Sequence, residues 1–396
     1  MAAIALLIIP PEIQLQIAEF AETQDLNALS LSSRSLRSIA QSMLFETLQI
    51  DLKTGLRGLV DNLLANPRIC AAIRFLVMNG WHPLRNHEEL LSHTQKLLPK
   101  MVGLRKVSIE VVDLSKAFLD AVLGIAANKP LQISLEWNEY PCGVIPVPHT
   151  PLQISHLNLR VDLPSLEFFR SMLHVSAATL TGLRIVVKRG DLERLADVNL
   201  PFLHDISFLF IIGCKDLMTS AAAFITAQKS IKKLELMGSL HPLPPIPPNA
   251  LPNALPNLRE LIASPKLVNQ LVPGRPVEVI EVIISYHEGN QGQDWFGEEV
   301  TQSTARVRML RIQYFKAAVL DTRMVKRVVA ILPFLENLWL PVFDDVSWSF
   351  RSITKTLAAH LPSAPQCRRS PHFTQVPQEP RPPAGSSRSM GRPQHQ

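Results

Sequence analysis

The chain has 396 residues, of which 46% are hydrophobic and only 6% aromatic, and carries a formal charge of +6. That is apolar material for two or three ordinary domains or for one long array with a large buried core. Five arginines against one glutamate between Pro362 and Gln396 supply +4 of this charge, so the basic balance belongs to a tail and does not point to nucleic acid as a partner.

In chain order, the opening "MAAIALLII" is an apolar run without a basic flank or a small-residue cleavage site, and Pro10-Pro11 interrupt it. It is not expected to be a secretory signal, and no run reaches the roughly 20 apolar residues of a membrane span. Cys70, Cys142, Cys214 and Cys367 lack the close spacing of zinc or redox motifs, which suits a reducing compartment. The expected location is cytoplasmic or nuclear, with no membrane and no cofactor.

A first helix is expected from the two prolines, which suit the first turn because their missing N–H groups have no use there. Glu12 meets the positive end of its dipole, and Ile13, Ile17 and Phe20 form one apolar face. Asp25 is a suitable cap for a second short helix carrying Leu26 and Leu29. After "LSLSSRS" a third helix carries Leu36, Ile39, Ala40, Met43 and Leu44 on one stripe. Three such short helices make a core too small to stand alone comfortably, so the unit must lean on a neighbour or on a partner.

The stretch "IPPEIQLQIAEF…DLNALSLSSRSLRSIAQ" resembles an F-box, the helical module that docks on the Skp adaptor of cullin-based ubiquitin ligases. Pro10, Glu12, Ile13, Ile17, Asp25, Leu26, Leu29, Leu31 and Arg34 match the family pattern in place, while Ile9, Ser33 and Leu36 stand where leucine, cysteine and tryptophan are usual. The resemblance implies a Skp-type partner held through Pro10, Ile13, Ile17, Leu26, Leu29 and Leu31.

Beyond these helices the chain repeats itself. An apolar-x-x-apolar-x-apolar hexamer recurs as "IRFLVM" from Ile73, "LRKVSI" from Leu104, "PLQISL" from Pro130, "ISHLNL" from Ile154, "LTGLRI" from Leu180 and "LHDISF" from Leu203. It continues as "IKKLEL" from Ile231, "LRELIA" from Leu258, "VEVIEV" from Val277, "VRMLRI" from Val307 and "LENLWL" from Leu335, at intervals of 19 to 31 residues. Helical patterns lie between them, among them "DLSKAFLDAVLGIAA" with Asp113 as its cap, "SLEFFRSMLHV", "DLMTSAAAFITA" and "MVKRVVAIL". Strand plus helix, repeated near 26 residues, matches an irregular leucine-rich repeat, whose period is about 20–29. The asparagine that usually bridges coils has counterparts only at Asn138 and Asp162, with Ser239 and Ser285 as weaker substitutes.

The expected fold is therefore α/β: a helical module at 1–48, then an irregular solenoid with a curved parallel sheet and outer helices at 49–361, and a disordered Pro/Ser/Arg-rich tail at 362–396. The proline-rich "HPLPPIPPNALPNALPN" at 241–257 is expected to form a rigid bulge on the rim. Catalysis is not expected. His87 and His93 of "HEELLSH" are six apart, about 240° around a helix, so they point away from each other and do not form a zinc pair, and "HEGNQGQDWFGEE" lacks a phosphate-cradling glycine pattern. The function implied is a substrate adaptor of a Skp-cullin-F-box ubiquitin ligase that presents an unidentified target protein. By position on the concave strands, Glu110, Arg160, Glu235, Arg311 and Trp339 are the candidate target contacts. The alternative is a leucine-rich-repeat interaction scaffold whose first helices merely cap the solenoid.

Overall fold

The computed structural model describes residues 10–32, 34–51, 57–80, 87–111, 115–137, 149–161, 166–187, 192–211, 215–238, 243–246, 254–284, 297–314, 327–328 and 330–339. Twelve strands form one open sheet in the order in which they occur in the chain, and each pair of neighbours is parallel. They are β1 Thr47–Asp51, β2 Phe75–Gly80, β3 Lys106–Val111, β4 Leu131–Trp137, β5 Ile154–Val161 and β6 Gly182–Val187, then β7 Asp205–Phe210, β8 Lys233–Gly238, β9 Glu260–Ala263, β10 Val279–Ile284, β11 Met309–Tyr314 and β12 Asn337–Trp339.

The eleven hexamers correspond to β2 through β12. β1 had no counterpart in the expectation, although "FETLQI" from Phe45 carries the same pattern, and it runs across the boundary drawn at residue 48. The hexamer works because side chains alternate between faces. Its fourth and sixth positions fall in register as two inward ladders. One runs Leu48, Leu76, Val107, Ile133, Leu157, Leu183 and onward to Leu338; the other runs Ile50, Met78, Ile109, Leu135, Leu159, Ile185, Phe208 and onward to Ile312. All belong to one continuous core. Each buried side chain of this type contributes about 1.5–3 kcal/mol, so these ladders are the main stabilising element.

Helices cover the inward face: α4 Arg57–Ala65, α5 Pro67–Ala72, α6 His87–Leu97, α7 Lys116–Asn128, α8 Leu166–Ser176, α9 Lys215–Ala227 and α10 Pro265–Leu271. Phe118, Phe169 and Phe224 project from α7, α8 and α9 into the core, where Phe224 meets Phe208 edge-on. The cap of α7 is Ser115, whose Oγ accepts from the Phe118 N–H at 3.2 Å. Asp113 lies outside the described residues, as do Asn138, Asp162, Ser239, Ser285, 287–296 of the glycine-containing loop and the tail from 340. A helix does not follow every strand: among the described residues, the β6–β7 and β10–β11 connections carry only the 3₁₀ turns Leu192–Leu195 and Glu298–Gln302.

The described part of the proline-rich stretch, residues 243–246 and 254–257, departs from expectation. Leu243, Ile246, Ala254 and Leu255 are buried in the core instead of standing out as a rim bulge. Gln270 of α10 accepts the Ile246 N–H at 3.0 Å. Leu255 adopts a left-handed φ of 64°, which costs a non-glycine residue about 1–2 kcal/mol and is offset here by its burial.

Coil-to-coil bonding comes from other side chains. At the turns that lead into the strands, Thr179 Oγ1 donates to the Ile154 carbonyl at 3.0 Å, Ser230 Oγ to that of Leu203 at 2.7 Å and Ser303 Oγ to that of Arg275 at 2.9 Å. Buried Gln228 accepts from the Leu200 N–H at 3.0 Å and donates to the Val198 carbonyl at 2.7 Å. Each bond satisfies a main-chain group one coil earlier, which is the service a bridging asparagine performs.

Ahead of the sheet stand α1 Pro11–Glu19, α2 Thr23–Ser32 and α3 Arg34–Leu44. Their shared core is small and separate from that of the sheet: Ala18, Leu26 and Ala40, with Ala21, Leu29, Ile39, Met43 and Leu44 packed around it. α2 begins at Thr23, so Asp25 lies in its first turn and meets the helix dipole there. Arg37 of α3 closes the end of α2 by donating to the Ser30 carbonyl at 2.9 Å. α3 packs on α5, and the Glu46 carbonyl accepts from the Arg74 and Phe75 N–H groups, joining the module to the first coil.

Candidate functional site

The helical module leaves much of its apolar surface uncovered. Ile13 and Ile17 are 42% and 41% exposed on α1, Phe20 at its end is 90% exposed, and Leu31 on α2 is 79% exposed. A mid-helix Ile gains from burial, so a short helix that keeps two of them exposed lacks a cover among the described residues. Pro10 precedes α1, also exposed, and its carbonyl accepts from the Ile13 and Gln14 N–H groups at 3.0 Å each. Leu29 is half-buried against the module core, and Leu26 lies within it. The six residues implied by the resemblance thus divide: Ile13, Ile17 and Leu31 face outward beside Pro10, while Leu26 and Leu29 hold the helices together. Phe20 shares the α1 stripe and belongs with the outward set, as does Leu15.

The sheet presents its second face away from the helices. The fifth hexamer position builds its middle row: Gln49, Val77, Ser108, Ser134, Asn158, Arg184, Ser207, Glu235, Ile262, Glu281, Arg311 and Trp339. Glu235, Arg311 and Trp339 lie on this row; Glu110 on β3 and Arg160 on β5 lie on the row beside it, and all five are partly exposed. The structure brings Arg311 and Trp339 together, with the guanidinium 5.4 Å from the ring centroid. Glu281, which residue-by-residue reading missed, completes that cluster. Arg311 lies 3.5 Å from its carboxylate, and Gln313 Nε2 donates to it at 2.5 Å. Burial pushes the Glu281 carboxyl above its ordinary range, and the Arg311 cation opposes this only in part. The missed signal was in the sequence, since Glu281 is the fifth residue of "VEVIEV".

Toward the middle of the sheet, a depression of about 370 Å³ lies over β3 to β8. Gly182 forms its floor between His156 and Asp205, where a Cβ would collide with the His156 ring. Asn158 Nδ2 donates to Ser134 Oγ at 3.0 Å beneath it. Lys233, on the far wall, is closed on Glu260 at 2.5 Å.

Among the described residues there is no cluster of His, Cys, Asp and Glu able to hold a metal ion, and no helix long and apolar enough to cross a membrane. Cys70 is buried with its Sγ 3.0 Å from the Leu63 carbonyl, and burial pushes its thiol up, away from the reactive thiolate. His93 of "HEELLSH" sits on α6 with Nδ1 3.7 Å from Asp61 Oδ1.

A search of the curated proteins gives no match. The family model for the F-box domain matches residues 6–48, a span that holds all three N-terminal helices and ends at the start of β1. These residues are therefore an F-box domain, the module by which adaptors of Skp-cullin ubiquitin ligases hold the Skp subunit.

Proposed function

We propose that the chain is a substrate adaptor in which the face around Ile13 and Ile17 binds the Skp subunit and the open face of the sheet binds a target protein. The observation that carries this reading is the exposure of Ile13, Ile17, Phe20 and Leu31 within a matched F-box domain. Leu26 and Leu29 shape that surface from beneath. The twelve coils, with a mean repeat near 26 residues and hexamers in register, support an irregular leucine-rich-repeat solenoid as the target-binding part. Glu110, Arg160, Glu235, Arg311 and Trp339 stand on its open face, with Glu281 added.

The mechanism is proximity. Holding a target beside the ubiquitin-charged enzyme raises the effective concentration of its lysines and speeds transfer without any catalytic group in this chain. Such an adaptor works in the cytoplasm or nucleus and needs no cofactor.

The test is capture of a recombinant Skp subunit by the full chain. Because a few buried anchors dominate binding, Ile17→Asp should weaken capture at least about 30-fold while leaving the melting curve unchanged. Undiminished capture by that variant would overturn the assignment. The scaffold reading draws on one observation, the packing of α3 on α5. Under it, removing residues 1–44 exposes the first coil and causes aggregation; under the adaptor reading, the shortened chain stays dispersed and loses only the Skp subunit.

A further inference from the structure

We infer that the depression centred on Gly182 holds an extended segment of the target in which an acidic and a basic side chain stand about three residues apart. The inference rests on the reading that the open face of the sheet binds the target.

Four charged side chains line this depression with no ion pair to a described residue, and they are sorted by sign. Lys106 on β3 and Arg184 on β6 are the cations; Asp205 on β7 and Glu235 on β8 are the anions. The neighbouring Lys233 shows what these groups do when a partner is in reach, since it closes on Glu260 at 2.5 Å. Between the two signs lies Ser207, whose Oγ makes no hydrogen bond to a described residue although the residue is only 9% exposed. A buried hydroxyl without a partner is rare, and Ser207 is among the residues that line the depression.

The His156 ring occupies the space over Gly182, so a bound segment meets that ring between Lys106 and Asp205. At the same position the strands on either side carry His156 and Asp205. The separation of charges sets the spacing of the ligand. Arg184 and Glu235 are two strands apart, which is about 10 Å across a sheet, and an extended chain rises about 3.3 Å per residue. An acidic side chain over Arg184 therefore stands about three residues from a basic one over Glu235, with Lys106 and Asp205 adding charge of the same sign on either flank. A segment bearing only acids, phosphorylated or not, meets the two anions; one bearing only bases meets the two cations.

The experiment uses the full chain purified with the Skp subunit and three fluorescent peptides on a glycine-serine background. They carry Glu and Lys three residues apart, Glu and Glu, or Lys and Lys. In anisotropy titrations at low salt, the mixed peptide should bind at least tenfold tighter than either like-charged peptide. Arg184→Glu should transfer the preference to the Lys-Lys peptide, and Glu235→Lys should transfer it to the Glu-Glu peptide. Equal affinities, no binding, or preferences that survive both substitutions would overturn the inference. Skp capture by the same preparations reports separately. If capture persists while the peptides fail, the depression has been misassigned and the adaptor reading stands; if capture fails, that reading falls first.

Discussion

The F-box helices and the twelve-stranded sheet are built from the same Leu, Ile and Ala, yet they dispose of it in opposite ways. In the sheet, the inward ladders and the phenylalanines of α7, α8 and α9 are buried almost completely. In the helices, the buried cluster among the described residues is Ala18, Leu26 and Ala40, with Leu36 also buried, and the larger Ile13, Ile17, Phe20 and Leu31 remain exposed. Periodicity states that a helix has an apolar face; it does not state who covers it. A sheet that adds coils buries each new face against the last, whereas three short helices reach the limit of what they can enclose and leave the remainder uncovered among the described residues.

Leu26→Asp should break this comparison most sharply. Leu26 packs with Ala18 and Ala40 at the centre of the small helical module, and an unpaired carboxylate there costs several kcal/mol, more than so small a unit can spare. Limited proteolysis should then cut between residues 10 and 44, and Skp capture should be lost, while the sheet keeps its urea transition. Survival of the helices would mean that α3 draws most of its stability from α5.

The matching experiment in the sheet is Phe208→Ala. Phe208 is fully buried, stacks on Phe210 and meets Phe224 edge-on. Truncation should cost about 3–5 kcal/mol in urea unfolding and leave Skp capture intact, the reverse of the Leu26 outcome. A smaller effect is expected from Gln228→Leu, which keeps the volume but strands the buried Leu200 N–H and Val198 carbonyl. A loss of about 2–4 kcal/mol would show that coil-to-coil bonding rests on such side chains.

The two regions also differ in how far the sequence discloses them. The hexamers specify eleven strands and, through their fifth position, the middle row of the open face, because a period of two leaves no freedom in which way a side chain points. Gly182 and Glu281 were thus readable as outward residues. That Glu281 would be buried was not, since burial there depends on which coils lie beside it. For the same reason the buried Leu243 and Ile246 hide in a stretch whose prolines suggest only a stiff loop. In the F-box, the stripe of Ile13, Ile17 and Phe20 was legible as a face. The division between outward Ile17 and inward Leu26 was not, because it is set by how three helices cross.

Glu281→Gln offers the finest test of the contrast between covered and uncovered surface. Burial raises the pKa of this carboxyl, and the Arg311 cation, its hydrogen bond and the more distant Lys233 only partly offset the effect. A carboxyl whose folded pKa lies above its unfolded one contributes stability that is fully present below the ordinary range near pH 4 and is lost as pH rises through the raised value. At neutral pH the folded chain therefore carries a penalty that the neutral amide removes, while the amide oxygen can still accept from Gln313. The variant should melt about 1–2 °C higher at pH 7, a difference that shrinks to nothing as pH falls toward about 4. Thermal melts across that range check the sign. A lower melting temperature at pH 7 would mean that the ion pair with Arg311 outweighs the cost of burial, and that this end of the open face is held by charge pairing instead of waiting for a partner to supply it.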